Sequence, residues 1–151
     1  MSENVRKATK DDVCRMAEII VFNNRKNYYP IFGNIEYSFG DYNVFSVADE
    51  FLKDDSFMNN CYVYEDKVIK GFICVIDREI TKLYVDTFFQ KSGIGHKLIE
   101  FAIENFDADN LWALEKNTNA IAFYESHGFK PTGEKILEED TPEYLIKMIR
   151  E

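Results

Sequence analysis

The chain has little of what builds covalent or metal frameworks. Its 151 residues include three cysteines, Cys14, Cys61 and Cys74, with no C-x-x-C spacing. An odd count without a pairing motif argues against a disulfide scaffold. Cys61 and Cys74 fall in apolar strand-like runs, where a cysteine serves as a small hydrophobe. The two histidines, His96 and His127, are far apart and carry no zinc-ligand spacing, so no metal is expected. His127 falls at an expected helix C-terminus, where partial positive charge is welcome, and reads as structural. No run approaches the ~18 apolar residues of a membrane span. The stretch Met1–Lys7 lacks the apolar core of a secretory signal, so the expectation is a cytoplasmic chain with no membrane partner. Basic residues are the minority: 18 Lys and Arg against 27 Asp and Glu give a net charge of -9. Binding to a phosphate backbone needs a basic face, so nucleic acid is not an expected partner, whereas a cationic substrate suits an acidic cleft.

The familiar nucleotide and nucleophile signatures are missing as well. A G-x-G-x-x-G fingerprint would need a third glycine where Leu98 stands, and no P-loop string exists. There is no G-x-S-x-G elbow and no Cys/His arrangement of known spacing. Repeats, low-complexity tracts and linker-like stretches are also lacking. With 46% hydrophobic residues, residues 1–151 are expected to form one domain with a real core.

What is present has a clear order. Val5–Ala8 reads as a first strand. Thr9 reads as an N-cap with Asp12 as its capping-box partner, and Val13, Met16, Ala17 and Ile20 mark one helical face. Tyr28-Tyr29-Pro30 is expected to end or kink that helix. Residues 28–45 are rich in aromatics but broken by Pro30, Gly33 and Gly40. A short helix follows, with Phe45, Ala48, Phe51 and Leu52 expected inward. Cys61–Tyr64, Val68–Ile76 and Glu79–Asp86 read as a three-strand meander turning at Glu65-Asp66-Lys67 and Asp77-Arg78. A helix is expected from Gly93 to Asn105, a strand over Leu111–Leu114, and a helix over Thr118–His127 closed by Gly128. Two strands finish the chain, one from Phe129 and one over Tyr144–Ile149. Strands layered with helices in this order give an α/β (α+β) sheet.

The most informative stretch is Gln90-Lys91-Ser92-Gly93-Ile94-Gly95, which follows Leu83-Tyr84-Val85 and opens a helix at His96. Loop amides and a helix N-terminus both favour an anion such as a pyrophosphate, and glycines let it approach the main chain. Downstream lies Asn117-Thr118-Asn119-Ala120-Ile121-Ala122-Phe123-Tyr124, with Gly128-Phe129 beyond. The Gln-x-x-Gly-x-Gly loop and the Asn-x-x-Ala-x-x-x-Tyr helix, in that order, resemble the GNAT (GCN5-related) N-acetyltransferase family. The specific resemblance spans about Lys82 to Phe129. It implies a central mixed, mostly antiparallel sheet of six to seven strands, flanked by about four helices. Its fourth and fifth strands would splay to form a cofactor cleft. It implies acetyl-CoA as cosubstrate, bound by Leu83, Tyr84, Val85, Gln90, Lys91, Ser92, Gly93, Ile94, Gly95, His96 and Asn117. The acceptor would be a small-molecule or peptide amine, and a homodimer is common in the family. Two positions depart from the pattern: Thr87 stands where many members have proline, and the loop reads Gln-Lys-Ser, without the usual basic residue before Gly93.

Acetyl transfer from a thioester needs no protein nucleophile. It needs positioning, a neutral amine, and a proton for the leaving thiolate. The resemblance gives that proton to Tyr124. A phenol of ordinary pKa about 10 is near enough in strength to a thiol of about 8.5 to serve. By spacing alone Tyr124 reads as a core residue, since it shares a helical face with Ala120; the resemblance reverses that reading. Asn117 has two readings, helix N-cap and cofactor contact. The general base is open among Glu79, Asp86, Glu115 and water. Trp112 falls near where relatives acting on protein N-termini carry a glutamate, which weakens that reading here. The resemblance implies an acceptor pocket at the aromatic segment, where Tyr28, Tyr29, Phe32 and Glu36 would hold a cation through ring faces and charge; the same rings can equally roof the core. The alternative from another class is a non-catalytic acyl-CoA-binding sensor or scaffold; a nucleotide-dependent phosphotransferase is more remote.

Overall fold

Alternation along β3 organises the molecule. The computed structural model describes residues 4–32, 43–138 and 142–151, the stretch 24–32 by its backbone alone. In β3 (Val68–Ile76), Phe72 and Cys74 face one side and Ile73 and Val75 the other, as the period of a strand requires. The first pair packs under α1 (Val13–Phe32) and α2 (Val44–Lys53), with Val13, Met16, Ala17, Ile20 and Phe51. The second packs under α4 (Ile94–Phe106), with Leu98, Ile99, Phe101 and Ala102. The sheet is therefore covered on both faces by helices.

The remaining elements are β1 (Val5–Lys7), α3 (Asp55–Met58), β2 (Cys61–Asp66), β4 (Glu79–Val85), β5 (Asn110–Leu114), α5 (Thr118–Ser126), β6 (Phe129–Leu137) and β7 (Tyr144–Arg150). The seven strands lie in the order β1-β2-β3-β4-β5-β7-β6. All neighbours are antiparallel except β4 and β5, which are parallel and joined through α4. This is the expected GNAT-like α/β fold, with five helices and seven strands among the described residues. None of the described helices is long and apolar enough to cross a membrane.

Local signals explain several boundaries. The Thr9 amide donates to Asp12 Oδ2 at 2.8 Å, so the expected capping pair starts the first helical turn. Arg6 clamps the same carboxylate with two nitrogens, each at 2.9 Å. The tight hairpin after β3 holds Asp77 and Arg78 both at positive φ, 49° and 71°. That is the pattern that matches strand twist, built without the usual Asn-Gly.

Three expectations change. Tyr28-Tyr29-Pro30 does not end α1, which continues to Phe32; a proline lacks its own N–H and crowds the carbonyl four residues before it, which does not prevent the last two residues from staying helical. The inward face of α2 is Val47, Ala48 and Phe51, while Phe45 is 88% and Leu52 46% exposed. Asn43 caps the helix by accepting from the Ser46 amide at 2.9 Å, and this start turns Phe45 outward. The one-turn helix α3 has no periodic signal and was not expected; the Asp54 side chain caps it through the Phe57 amide.

Cys61 and Cys74 stand directly opposite each other across β2 and β3, both fully buried. The Cys74 thiol beside it, together with burial, pushes the Cys61 thiol well above its ordinary range, which keeps it protonated. The reading of these cysteines as core residues holds.

Candidate active site

The site begins with one surplus residue. Cys74 faces Lys82 and Val75 faces Ile80, so Thr81 has no counterpart on β3 and forms a bulge. Its hydroxyl donates to the Cys74 carbonyl at 3.3 Å. A bulge bends its strand. The ladder between β4 and β5 ends at the same place, with Glu79 opposite Asn110 and Ile80 opposite Leu111 as the paired positions. Beyond it β4 stays with β3 through Val85, while β5 stays with β7 through Leu114. The two halves of the sheet therefore part at Thr81. Among the described residues the β4–β5 ladder has no pair beyond Ile80 and Leu111.

The gap opens into a cleft of ≈ 860 Å³. Of the residues expected to bind the cofactor, Leu83, Tyr84, Val85, Gln90, Lys91, Gly93, Ile94, Gly95, His96 and Asn117 line it. Ser92 is not among the lining residues; its hydroxyl donates to the Phe89 carbonyl and shapes the loop. Tyr84 stacks on Phe72 with ring centroids 5.7 Å apart.

At the mouth of the gap, α4 starts without a side-chain cap. Gly93 is its N-cap at φ 86°, a left-handed conformation that favours glycine, and Lys91 is also left-handed at φ 66°. The Lys97 amide donates to the Gly93 carbonyl at 3.0 Å, which makes it the first intrahelical donor. The amides before it, at Ile94, Gly95 and His96, belong to the unsatisfied first turn and carry its positive end. This donor set suits a diphosphate. The glycines have separate reasons: a Cβ at Gly93 would meet nothing within 4 Å, whereas one at Gly95 would lie 3.3 Å from Phe123 Cζ. Gly95 thus lets α5 pack onto α4.

The loop is held from below by a residue the sequence reading missed. Asn23 is 3% exposed and continues the apolar face of α1 after Ile20. Its Nδ2 donates to the Ile19 and Val85 carbonyls at 3.0 and 2.8 Å. Gln90 Nε2 donates to Asn23 Oδ1 at 3.0 Å and to the Val85 carbonyl at 3.1 Å. The Gln90 side chain therefore ties the loop to α1 and the end of β4. A polar residue on an otherwise apolar helical face was the signal available for Asn23.

Across the gap, Asn117 caps α5, accepting from the Ala120 amide at 3.3 Å. Tyr124 also lines the cleft, with its half-buried ring edge-on to Phe129 at 6.2 Å. The N-cap reading of Asn117 and the packing reading of Tyr124 hold, and both residues line the cleft. Ile20, Asn23, Lys82, Phe123 and Glu138 line the cleft and were not expected there, and Trp112 lines it as well.

The candidate bases separate. Asp86 bonds Arg15 Nη2 through Oδ2 and caps the following turn by accepting from the Phe88 amide at 2.8 Å. Glu115 pairs with Lys135 at 3.2 Å. Neither lines the cleft, whereas Glu79 does. Glu36 lies outside the described residues, and of Tyr28, Tyr29 and Phe32 only the helical backbone is described.

Comparison with known proteins agrees with this geometry. Residues 58–131 match the model of the acetyltransferase (GNAT) domain. The chain is similar to the peptidyl-lysine N-acetyltransferase YjaB of Salmonella typhimurium (strain LT2), 33% identical over 63 residues. The match covers 42% of this chain and spans less than half of that relative, 43% of its length. In overall fold the chain is similar to apo YjaB from Escherichia coli, with a TM-score of 0.76 at 19% identity over 99% of this chain and 97% of that one. It is also similar to the PaiA N-acetyltransferase of Thermoplasma acidophilum in complex with coenzyme A, with a TM-score of 0.65 at 19% identity over 97% and 98%. Residues 58–131, which hold the splayed strands and the glycine loop, thus match a GNAT acetyltransferase domain, and the described fold around them is similar to that of GNAT acetyltransferases.

Proposed function

We propose that the chain is a cytoplasmic N-acetyltransferase that uses acetyl-CoA and acetylates a primary amine by direct attack in a ternary complex. One observation carries the reading: the uncapped start of α4 and the phenol of Tyr124 line one cleft, from opposite sides of the β4–β5 gap. The amides of Ile94, Gly95 and His96 would hold the diphosphate, and the edge of β4 that parts from β5, from Leu83 on, would hold the pantetheine arm. Acetyl-CoA supplies an activated acyl group when bound. Tyr124 gives its proton to the sulfur as the carbon–sulfur bond breaks and the carbon–nitrogen bond forms. Glu79, or water beside it, accepts the proton that the amine loses.

The acceptor class we favour is a lysine-like amine. Glu79 and Glu138 in the cleft suit a cation, and the YjaB relative is named for peptidyl-lysine. The ion pairing of Asp86 and Glu115 leaves few bases and lends some weight to the alternative, an acyl-CoA sensor. A thiol-release assay with acetyl-CoA and a panel of lysine peptides and polyamines separates the two. Turnover with any amine supports the transferase. Thermal stabilisation by CoA without turnover across the panel supports the sensor, and neither effect sinks both.

A further inference from the structure

We propose that His96, His127 and Glu100 form a binding site for a single divalent transition-metal ion, of the zinc type, between α4 and α5. The sequence hides the site because its ligands come from two helices. His96 and Glu100 are one turn apart on α4 and so share a face. His127 is the C-cap of α5. The fold brings His96 Nδ1 within 2.8 Å of His127 Nε2. One ligand atom from each of the three residues lies within 4.8 Å of the others.

The hydrogen bonds around His127 prepare it as a ligand. Its Nδ1 lies 2.9 Å from the Phe123 carbonyl and 3.2 Å from Ser126 Oγ. Ser126 Oγ itself donates to the Phe123 carbonyl at 2.6 Å. A carbonyl can only accept, so Nδ1 carries the proton and the lone pair of the neutral ring is on Nε2, facing His96. Metal-bound histidines are oriented in this way, with the other ring nitrogen donating to a carbonyl or carboxylate. In the metal-free protein His96 Nδ1–H donates to that lone pair. When metal binds, His96 keeps one proton and carries it on Nε2 instead, which frees Nδ1.

The size is right. Zinc–nitrogen bonds of about 2.0–2.1 Å in a tetrahedron place two ligand nitrogens about 3.3 Å apart. Opening the pair from 2.8 Å by about half an ångström is a small ring rotation. His96 is exposed and the other two are half-buried, which leaves the fourth position to water. The C-terminal end of α5 favours a cation and the N-terminal end of α4 opposes it. The Glu100 carboxylate offsets that opposition. Bound metal would fasten the helix carrying Tyr124 to the helix carrying the diphosphate amides.

The test is titration of tag-free, chelator-treated full-length protein with ZnCl2 by calorimetry, and with CoCl2 by visible absorption. A Cys14→Ser background removes the exposed thiol as a competing ligand. We expect one equivalent of Zn2+ to bind saturably and Co2+ to give the absorption of a nitrogen- and oxygen-ligated ion. His127→Ala and Glu100→Gln should each weaken Zn2+ binding at least ~10-fold. No saturable binding, or undiminished binding in either variant, would overturn the site. The readout is independent of the acetyltransferase reading, so failure of one leaves the other standing.

Discussion

Asn23 and Gln90 meet beneath the glycine loop, where the Gln90 amide donates to Asn23 Oδ1 at 3.0 Å. Through Asn23 the loop is joined to the backbone of α1 and to the last residue of β4. The first helix thus fixes the height of the loop, although no motif on that helix announces the role.

Asn23→Ala should strand buried polar partners and loosen the loop. The loss should be about 1–3 kcal/mol, which in a domain of this size corresponds to about 2–4 °C of Tm per kcal/mol. Chemical denaturation measures the first part. Steady-state kinetics measures the second: KM for acetyl-CoA should rise more than kcat falls, and an unchanged KM would show that the loop is held by other means.

Tyr124→Phe keeps the ring and its contact with Phe129 but removes the proton. We expect kcat to drop about 100-fold or more, with little change in KM for acetyl-CoA and little change in Tm. Equal kcat in the two proteins would remove the acid role.

The two loop glycines should fail differently. Gly93→Ala meets no neighbour but must adopt a left-handed conformation, at a cost of roughly 1–2 kcal/mol. Gly93→Asn should recover part of that loss, because asparagine tolerates the conformation. Gly95→Ala places a Cβ 3.3 Å from Phe123 Cζ and should displace α5. Its signature is a fall in kcat that Phe123→Leu relieves, whereas Gly93→Ala gains nothing from that change.

Asp12 predicts a pH effect. The Arg6 guanidinium, working against burial, holds its carboxyl below the ordinary 3.8. A lowered folded value means that the stabilisation is present above the unfolded value and is lost as pH falls through the folded one. Asp12→Asn should therefore cost about 1.5–3 kcal/mol at pH 7. The variant and parent should converge toward acid, as urea denaturation at neutral and at low pH can show.

Much of this was legible in the sequence because it is written locally. The face of α1, the start of α4 at Gly93, the Asn117 cap and the meander all follow from short-range pattern and turn chemistry. The surplus residue Thr81 was not legible, because a bulge depends on which residue of β3 faces which residue of β4. Nor was the His96–His127 contact, which exists only once α4 and α5 lie side by side. The inner face of α2 was misread at Phe45 and Leu52, since Phe45 looks like a core residue until the Asn43 cap sets the helix start. Asp86 and Glu115 looked as available as Glu79, and only the fold gave them Arg15 and Lys135 as partners.

The bulge at Thr81 carries a consequence for how relatives of this protein can diverge. Cleft width is set there by a count of backbone atoms, not by the side chains that would touch an acyl donor. Removing that single amino acid would let the fourth strand run straight and the seam zip shut, even with every ligand-facing group intact. Conversely, exchanging a side chain that lines the pocket would leave the opening itself in place.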